Sequence, residues 1–181
     1  MNADRAKPLG AADSAWWRME EPANQMTITA VLTFGERVEW PRLEELVRTR
    51  LLPLAPFRHR MREPWLGIGI PRWEPDPAFH LGNHLHRVRL SAPADDAALQ
   101  AFVSGLMSRP LDPRLPLWHF HYVENYAGGS ALVARLHHCI ADGIALIHLL
   151  LTLDDVPGNE TPAHMWATNG TGHRPERRLR P

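Results

Sequence analysis

His137 and His138 stand side by side, and the five residues that follow read Cys139-Ile140-Ala141-Asp142-Gly143. Imidazole is the side chain best able to take and give a proton near neutral pH. His138, held neutral and in one orientation, suits a general base that removes a proton from an alcohol or amine as that group attacks an activated acyl carbon. A thioester is the fitting acyl donor, because its leaving group is good and no covalent enzyme intermediate is needed. In that scheme His137 packs or hydrogen-bonds behind the working ring. Asp142 is structural, with Arg135 one candidate for an ion pair that pins the loop. Gly143 lets the backbone turn or approach closely where a side chain would clash. A bare histidine pair at a strand end is usually just satisfied by hydrogen bonds; the full seven-residue pattern at a strand-to-helix junction favours the catalytic reading.

That junction follows from the flanking residues. Ser130 to His137 reads as a strand, and Ile144 to about Leu153 as a helix. Asn125 to Gly129 is a hairpin turn, so the strand before it, Leu117 to Glu124, pairs back on Ser130 to His137. In that strand Trp118, Phe120 and Tyr122 share one face, and His119 and His121 the other. Upstream, Leu9 to Met19 reads as a short helix and Met26 to Phe34 as a buried strand. Pro41 opens a helix whose apolar set is Leu43, Leu46, Val47, Leu51 and Leu54. Phe57 to Arg62 and His84 to Leu90 read as strands, while Gly67 to Asp76 is ambiguous. Pro93-Ala94-Asp95-Asp96 caps a helix with Leu99, Phe102, Val103 and Leu106 on its apolar side. Mixed elements of this kind predict an α/β sandwich, helices against a mixed sheet.

The 181 residues suffice for one domain with a real core. A formal net charge of zero gives no global pull toward nucleic acid. One cysteine excludes an internal disulfide framework and a thiolate zinc cluster. No run is apolar for long enough to span a bilayer, and the N-terminus lacks a signal-type stretch, so a cytoplasmic location is expected. Residues 1–155 are expected to form the folded lobe. Residues 156–181, rich in Pro, Gly, Asn and Arg, are expected to be a linker or disordered tail.

His137-His138-x-x-x-Asp142-Gly143 resembles the signature of the chloramphenicol-acetyltransferase-like superfamily. Leu111-Asp112-x-x-x-Pro116-Leu117-Trp118 is similar to a segment of one branch, the bacterial wax ester synthase/diacylglycerol acyltransferases. Leu9-x-x-x-Asp13 with Glu20 and Met26, and Phe79-x-Leu81-x-x-His84 with Val88, Leu90 and Pro93, resemble two further blocks. Departures are Gln25, Thr27, Leu115 and His119, where that family usually carries proline, histidine, arginine and an acidic residue. The resemblance implies a chloramphenicol-acetyltransferase-like two-layer sandwich, here the N-terminal lobe of a two-lobe fold with the active site between lobes. It implies transfer of a fatty acyl group from acyl-coenzyme A, a substrate and not a cofactor, to a long-chain alcohol or a diacylglycerol. It assigns catalysis to His138, support to His137, Asp142 and Gly143, and shaping of the substrate site to Pro116, Leu117 and Trp118. The partner is a missing C-terminal lobe, and contact with a membrane or lipid droplet is at most peripheral. Family enzymes being more than twice as long, the chain is expected to be a fragment, half of a split enzyme or a degenerate copy.

Two other readings stand beside it: a condensation-type domain forming amides, and a non-catalytic lobe that binds a partner or lipid. His84 with His86, and His119 with His121, form i, i+2 pairs, but neither pair has a cysteine or clear carboxylate companion, and no metal is expected. Cys139 is expected to be a small buried thiol. Trp16, Trp17, Trp65 and Trp73 are expected in the core, and the basic run from Arg174 to Arg180 in solvent.

Overall fold

The computed structural model describes residues 6–21 and 23–140. Asp142, Gly143, the helix expected from Ile144 and the expected tail lie outside the described residues. Among the described residues, seven strands form two sheets. A four-stranded mixed sheet runs β2-β7-β6-β5, comprising Thr27–Phe34, Ser130–His137, Trp118–Val123 and Leu85–Val88. Its β5–β6 pair is parallel and the other two are antiparallel. A three-stranded antiparallel sheet runs β1-β4-β3, comprising Lys7–Pro8, Arg72–Pro75 and His59–Arg62.

Alternation builds the larger sheet. Trp118, Phe120 and Tyr122 on β6, with Leu132, Ala134 and Leu136 on β7, enter one core with Leu43, Leu46, Val47 and Leu51. The opposite face buries Val123, Ala131 and Val133 under the helix α3, Asp96–Met107, through Leu99, Phe102, Val103 and Leu106. Asp95 caps α3, its carboxylate accepting from the Ala98 N–H at 3.0 Å.

The expected hairpin is present in full, with Trp118 opposite Leu136 and Val123 opposite Ala131. Three expectations need correction. β2 is an edge strand and only half-buried, with Val31 43% exposed, because nothing pairs on its far side among the described residues. The helix opened by Pro41, α2, spans Trp40–Leu46 and continues in π geometry over Val47–Leu51. The strand expected from Phe57 starts at His59, since Pro56 favours a 3-10 turn over Ala55–Phe57. The first helix, α1, spans Ala11–Met19.

Candidate active site

β7 carries the histidine pair to the end of the sheet, and the loop after α1 clamps it there. The Glu20 carboxylate accepts from the Met26 N–H. The Met26 carbonyl accepts from the His138 N–H at 2.7 Å. Thr27 then pairs with His137 in the β2–β7 ladder. The backbone of the pair is thus fixed from two sides.

The two rings differ. His137 is 2% exposed. Its Nδ1 accepts from the Cys139 N–H at 3.0 Å, so the neutral ring carries its proton on Nε2. That nitrogen lies 3.5 Å from Glu20 Oε2, a long electrostatic contact. Burial, with the neighbouring His138 second, lowers the His137 pKa to about 4. It is a neutral, oriented support. His138 is half-buried, and its ring stacks on the Trp16 indole at 4.4 Å and 19°. Its Nδ1 is buried with no hydrogen-bond partner among the described residues. Trp17 approaches His137 at 5.7 Å and donates its indole N–H to Glu63 at 2.8 Å.

A cavity of about 250 Å³ opens beside His137, lined by Trp17, Glu20, Glu21, Leu111, Leu117 and His137 among others; His138 is not one of its lining residues. Its walls are mainly apolar, with the Glu20 and Glu21 carboxylates and the His137 imidazole as the polar groups, a lining that suits an acyl or alkyl chain. Leu111 and Leu117 come from the segment singled out in the sequence, bringing that segment and the histidines to one place. Leu117 also accepts the His137 N–H through its carbonyl at 3.0 Å.

Of the three residues expected to shape the substrate site, only Leu117 lines this cavity. Pro116 is buried, its carbonyl accepting the Trp118 N–H at 2.9 Å. Trp118 is fully buried in the core. Its indole N–H donates to the Phe57 carbonyl at 3.0 Å, and its ring stacks on His84 at 4.8 Å. It supports the wall from behind. Arg135 is buried and donates to the Arg109 carbonyl, tying β7 to the start of the Leu111 segment. The carboxylate it was expected to meet, Asp142, is outside the described residues. Burial pushes the Cys139 thiol well above its ordinary range, so it is no ready nucleophile.

Sequence reasoning placed Trp16 in the core and gave Glu20 no local role. The one signal for both was the grouping of Asp13, Glu20 and Met26 in one block ahead of the first long strand.

The family described as wax ester synthase/diacylglycerol acyltransferase catalytic domain matches residues 9–180. A Mycobacterium tuberculosis protein named a probable diacylglycerol O-acyltransferase is 41% identical over 107 residues, 59% of this chain and 23% of that protein. A second of the same description and organism is 28% identical over 143 residues, covering 77% of this chain and 53% of its own length. The solved wax ester synthase/diacylglycerol acyltransferase from Marinobacter aquaeolei VT8 superposes with a TM-score of 0.65 at 24% identity, over 80% of this chain and 36% of that one. A starter condensation domain of rhizomide synthetase, solved with C8-CoA, superposes at 0.67 and 19% identity, over 82% of this chain and 34% of that one. Both structures share the expected fold, and the chain corresponds to a single lobe of it.

Proposed function

Because this chain belongs to the wax ester synthase/diacylglycerol acyltransferase family, we propose that it is the histidine-bearing lobe of an O-acyltransferase. The donor is a fatty acyl-coenzyme A and the acceptor a long-chain alcohol or a diacylglycerol. His138 takes the hydroxyl proton as the oxygen attacks the thioester carbon. The new C–O bond forms, the C–S bond breaks, and the proton passes to the departing thiolate. His137 and Glu20 fix the loop, and the apolar cavity beside them receives an alkyl chain. The observation that carries this reading is the half-buried His138 ring, stacked on Trp16, while its chain neighbour His137 lines an apolar cavity. The remaining wall of the site belongs, in this reading, to a second lobe supplied by the rest of the enzyme.

The test is His138→Ala in the complete enzyme, or in this chain mixed with the second lobe. Ester formation from acyl-coenzyme A is expected to fall by about 10²–10⁴-fold, the usual worth of a general base, with an unchanged circular dichroism spectrum. Retained turnover would remove the assigned role.

Lipid acceptors arrive from a membrane or droplet surface. The segment from Trp65 to Ile70 suits contact with it: Trp65 is 92%, Leu66 82% and Ile68 81% exposed. Arg62 and Arg72 line a cleft with Ile68, Gly69 and Ile70, together with one carboxylate, Glu63, and Arg18 donates to the Gly69 carbonyl at 2.8 Å. Among the described residues no helix is long and apolar enough to cross a membrane.

A further inference from the structure

On the sheet face that α3 covers, histidines from two strands meet. His119 and His121 project from one side of β6, and His86 on β5 lies opposite His121 in the parallel register. The His86 and His121 rings are 4.8 Å apart, those of His86 and His119 5.2 Å, and those of His119 and His121 6.0 Å. One ring nitrogen from each lies within 4.8 Å of the other two. His121 is 8% exposed, and its Nδ1 is buried with no hydrogen-bond partner among the described residues. A buried imidazole nitrogen without a partner is unfavourable, and a bound electron-pair acceptor would satisfy it.

We propose that His86, His119 and His121 form a binding site for a divalent transition-metal ion. Three imidazole nitrogens suit zinc, cobalt, nickel or copper; the absence of an oxygen ligand in the cluster disfavours magnesium and calcium. Zinc–nitrogen bonds of about 2.0–2.1 Å set ligand nitrogens about 3.4 Å apart in a tetrahedron. The rings must therefore close by up to roughly 1.4 Å. His86 and His119 are half-buried, whereas His121 is buried and lies against Phe102 of α3 at 5.8 Å. Burial lowers the pKa of all three, against a backbone hydrogen bond with Asn83 at His86 and reinforced by the neighbouring rings at His119 and His121, which favours the neutral form whose lone pairs bind metal. The buried Arg135 guanidinium raises the local potential at His119 and His121, and the Asp112 carboxylate offsets it at His119. The bound ion would staple the edge strand β5 to β6 and leave its fourth position to water. Each i, i+2 pair read separately gave no reason for a metal; the cluster exists only because β5 and β6 pair in this register.

The site is independent of acyl transfer, and its test needs no turnover. The full chain, stripped by chelator, is titrated with Co²⁺ and followed by its visible ligand-field bands, with Zn²⁺ added in competition. One equivalent binding with a dissociation constant of about 10 μM or tighter is expected, with a rise in thermal midpoint. The His86→Asn/His119→Gln double variant alters only half-buried rings. It should lose at least 30-fold in affinity and the thermal shift, while His80→Asn changes neither. Absence of stoichiometric binding in the parent, or equal affinity in the double variant, would overturn the proposal.

Discussion

At the residue scale the site rests on two imidazoles given different jobs by their surroundings. His138 owes its orientation to Trp16, since the stacked indole leaves the ring one plane in which to lie. Trp16→Leu keeps an apolar surface there but no flat one. In the complete enzyme it is expected to lower kcat about tenfold with little change in KM, because a loosened base loses alignment in the transition state and not in substrate binding. Steady-state kinetics separate the two. His137 makes a prediction in pH. Its pKa is about 4 in the folded chain against an ordinary 6.5. Between those values the unfolded chain binds a proton the folded chain does not, so stability is complete above pH 6.5 and falls as pH drops toward 4. The loss is about 3 kcal/mol at 1.36 kcal/mol per unit. His137→Asn, whose side-chain oxygen can still accept from Cys139, should show a shallower decline in urea unfolding over that range. An identical decline would mean that His137 is not held neutral. The histidine pair and its flanking block were legible as residue types. The Trp16 stack and the Glu20 contact were not, because each joins residues more than a hundred positions apart in the chain.

At the element scale, alternation carried most of the information. β6 and β7 begin and end within a residue of where their side-chain pattern places them, and the two faces of β6 separate as the period of two requires. α3 was marked by its cap and its apolar spacing. What the pattern could not give was β1, two residues long and defined only by its partner Arg72–Trp73, or the half-burial of β2, which depends on being an edge. The turn joining β6 to β7 contains a stronger constraint than a hairpin needs. A Cβ on Gly129 would sit 2.1 Å from the Phe34 carbonyl oxygen and within 3.0 Å of two Gly35 backbone atoms. Backbone cannot step aside as a flexible side chain can. Gly129→Ala must therefore push the end of β2 away from β7, where Ser130 also donates to the Glu36 carbonyl at 3.0 Å. Overpacking of this kind costs about 1–3 kcal/mol. The variant is expected to unfold at correspondingly lower urea, while Gly105→Ala, in open space on α3, should be neutral or slightly stabilising.

At the scale of the whole molecule the apolar surface is unevenly spent. Buried clusters fill both faces of the larger sheet, yet Trp65, Leu66 and Ile68 stand almost wholly in solvent at one end of the three-stranded sheet. Leu66, Gly67 and Gly69 take positive φ, which turns the segment outward instead of folding it onto Met61 and Trp73. The sequence expectation that Trp65 belongs in the core fails on this backbone: a tip of alternating glycine and large apolar residues cannot pack on a core it points away from. The arginines beside it match a negatively charged bilayer, each worth about 1 kcal/mol near such a surface. The tip matches the acyl region beneath, where burying an indole and a leucine side chain returns several kcal/mol. The chain should therefore sediment with phosphatidylglycerol-containing vesicles, and more weakly with pure phosphatidylcholine or in high salt. Trp65→Ser/Leu66→Ser should reduce binding to the anionic vesicles by at least about 30-fold without moving the thermal midpoint, since neither side chain is buried in the folded chain. If the double variant binds equally well, or the parent ignores both vesicle types, the segment does not face lipid. Its apolar tip would then be a docking surface for protein, and the acceptor would have to enter from another side of the cleft.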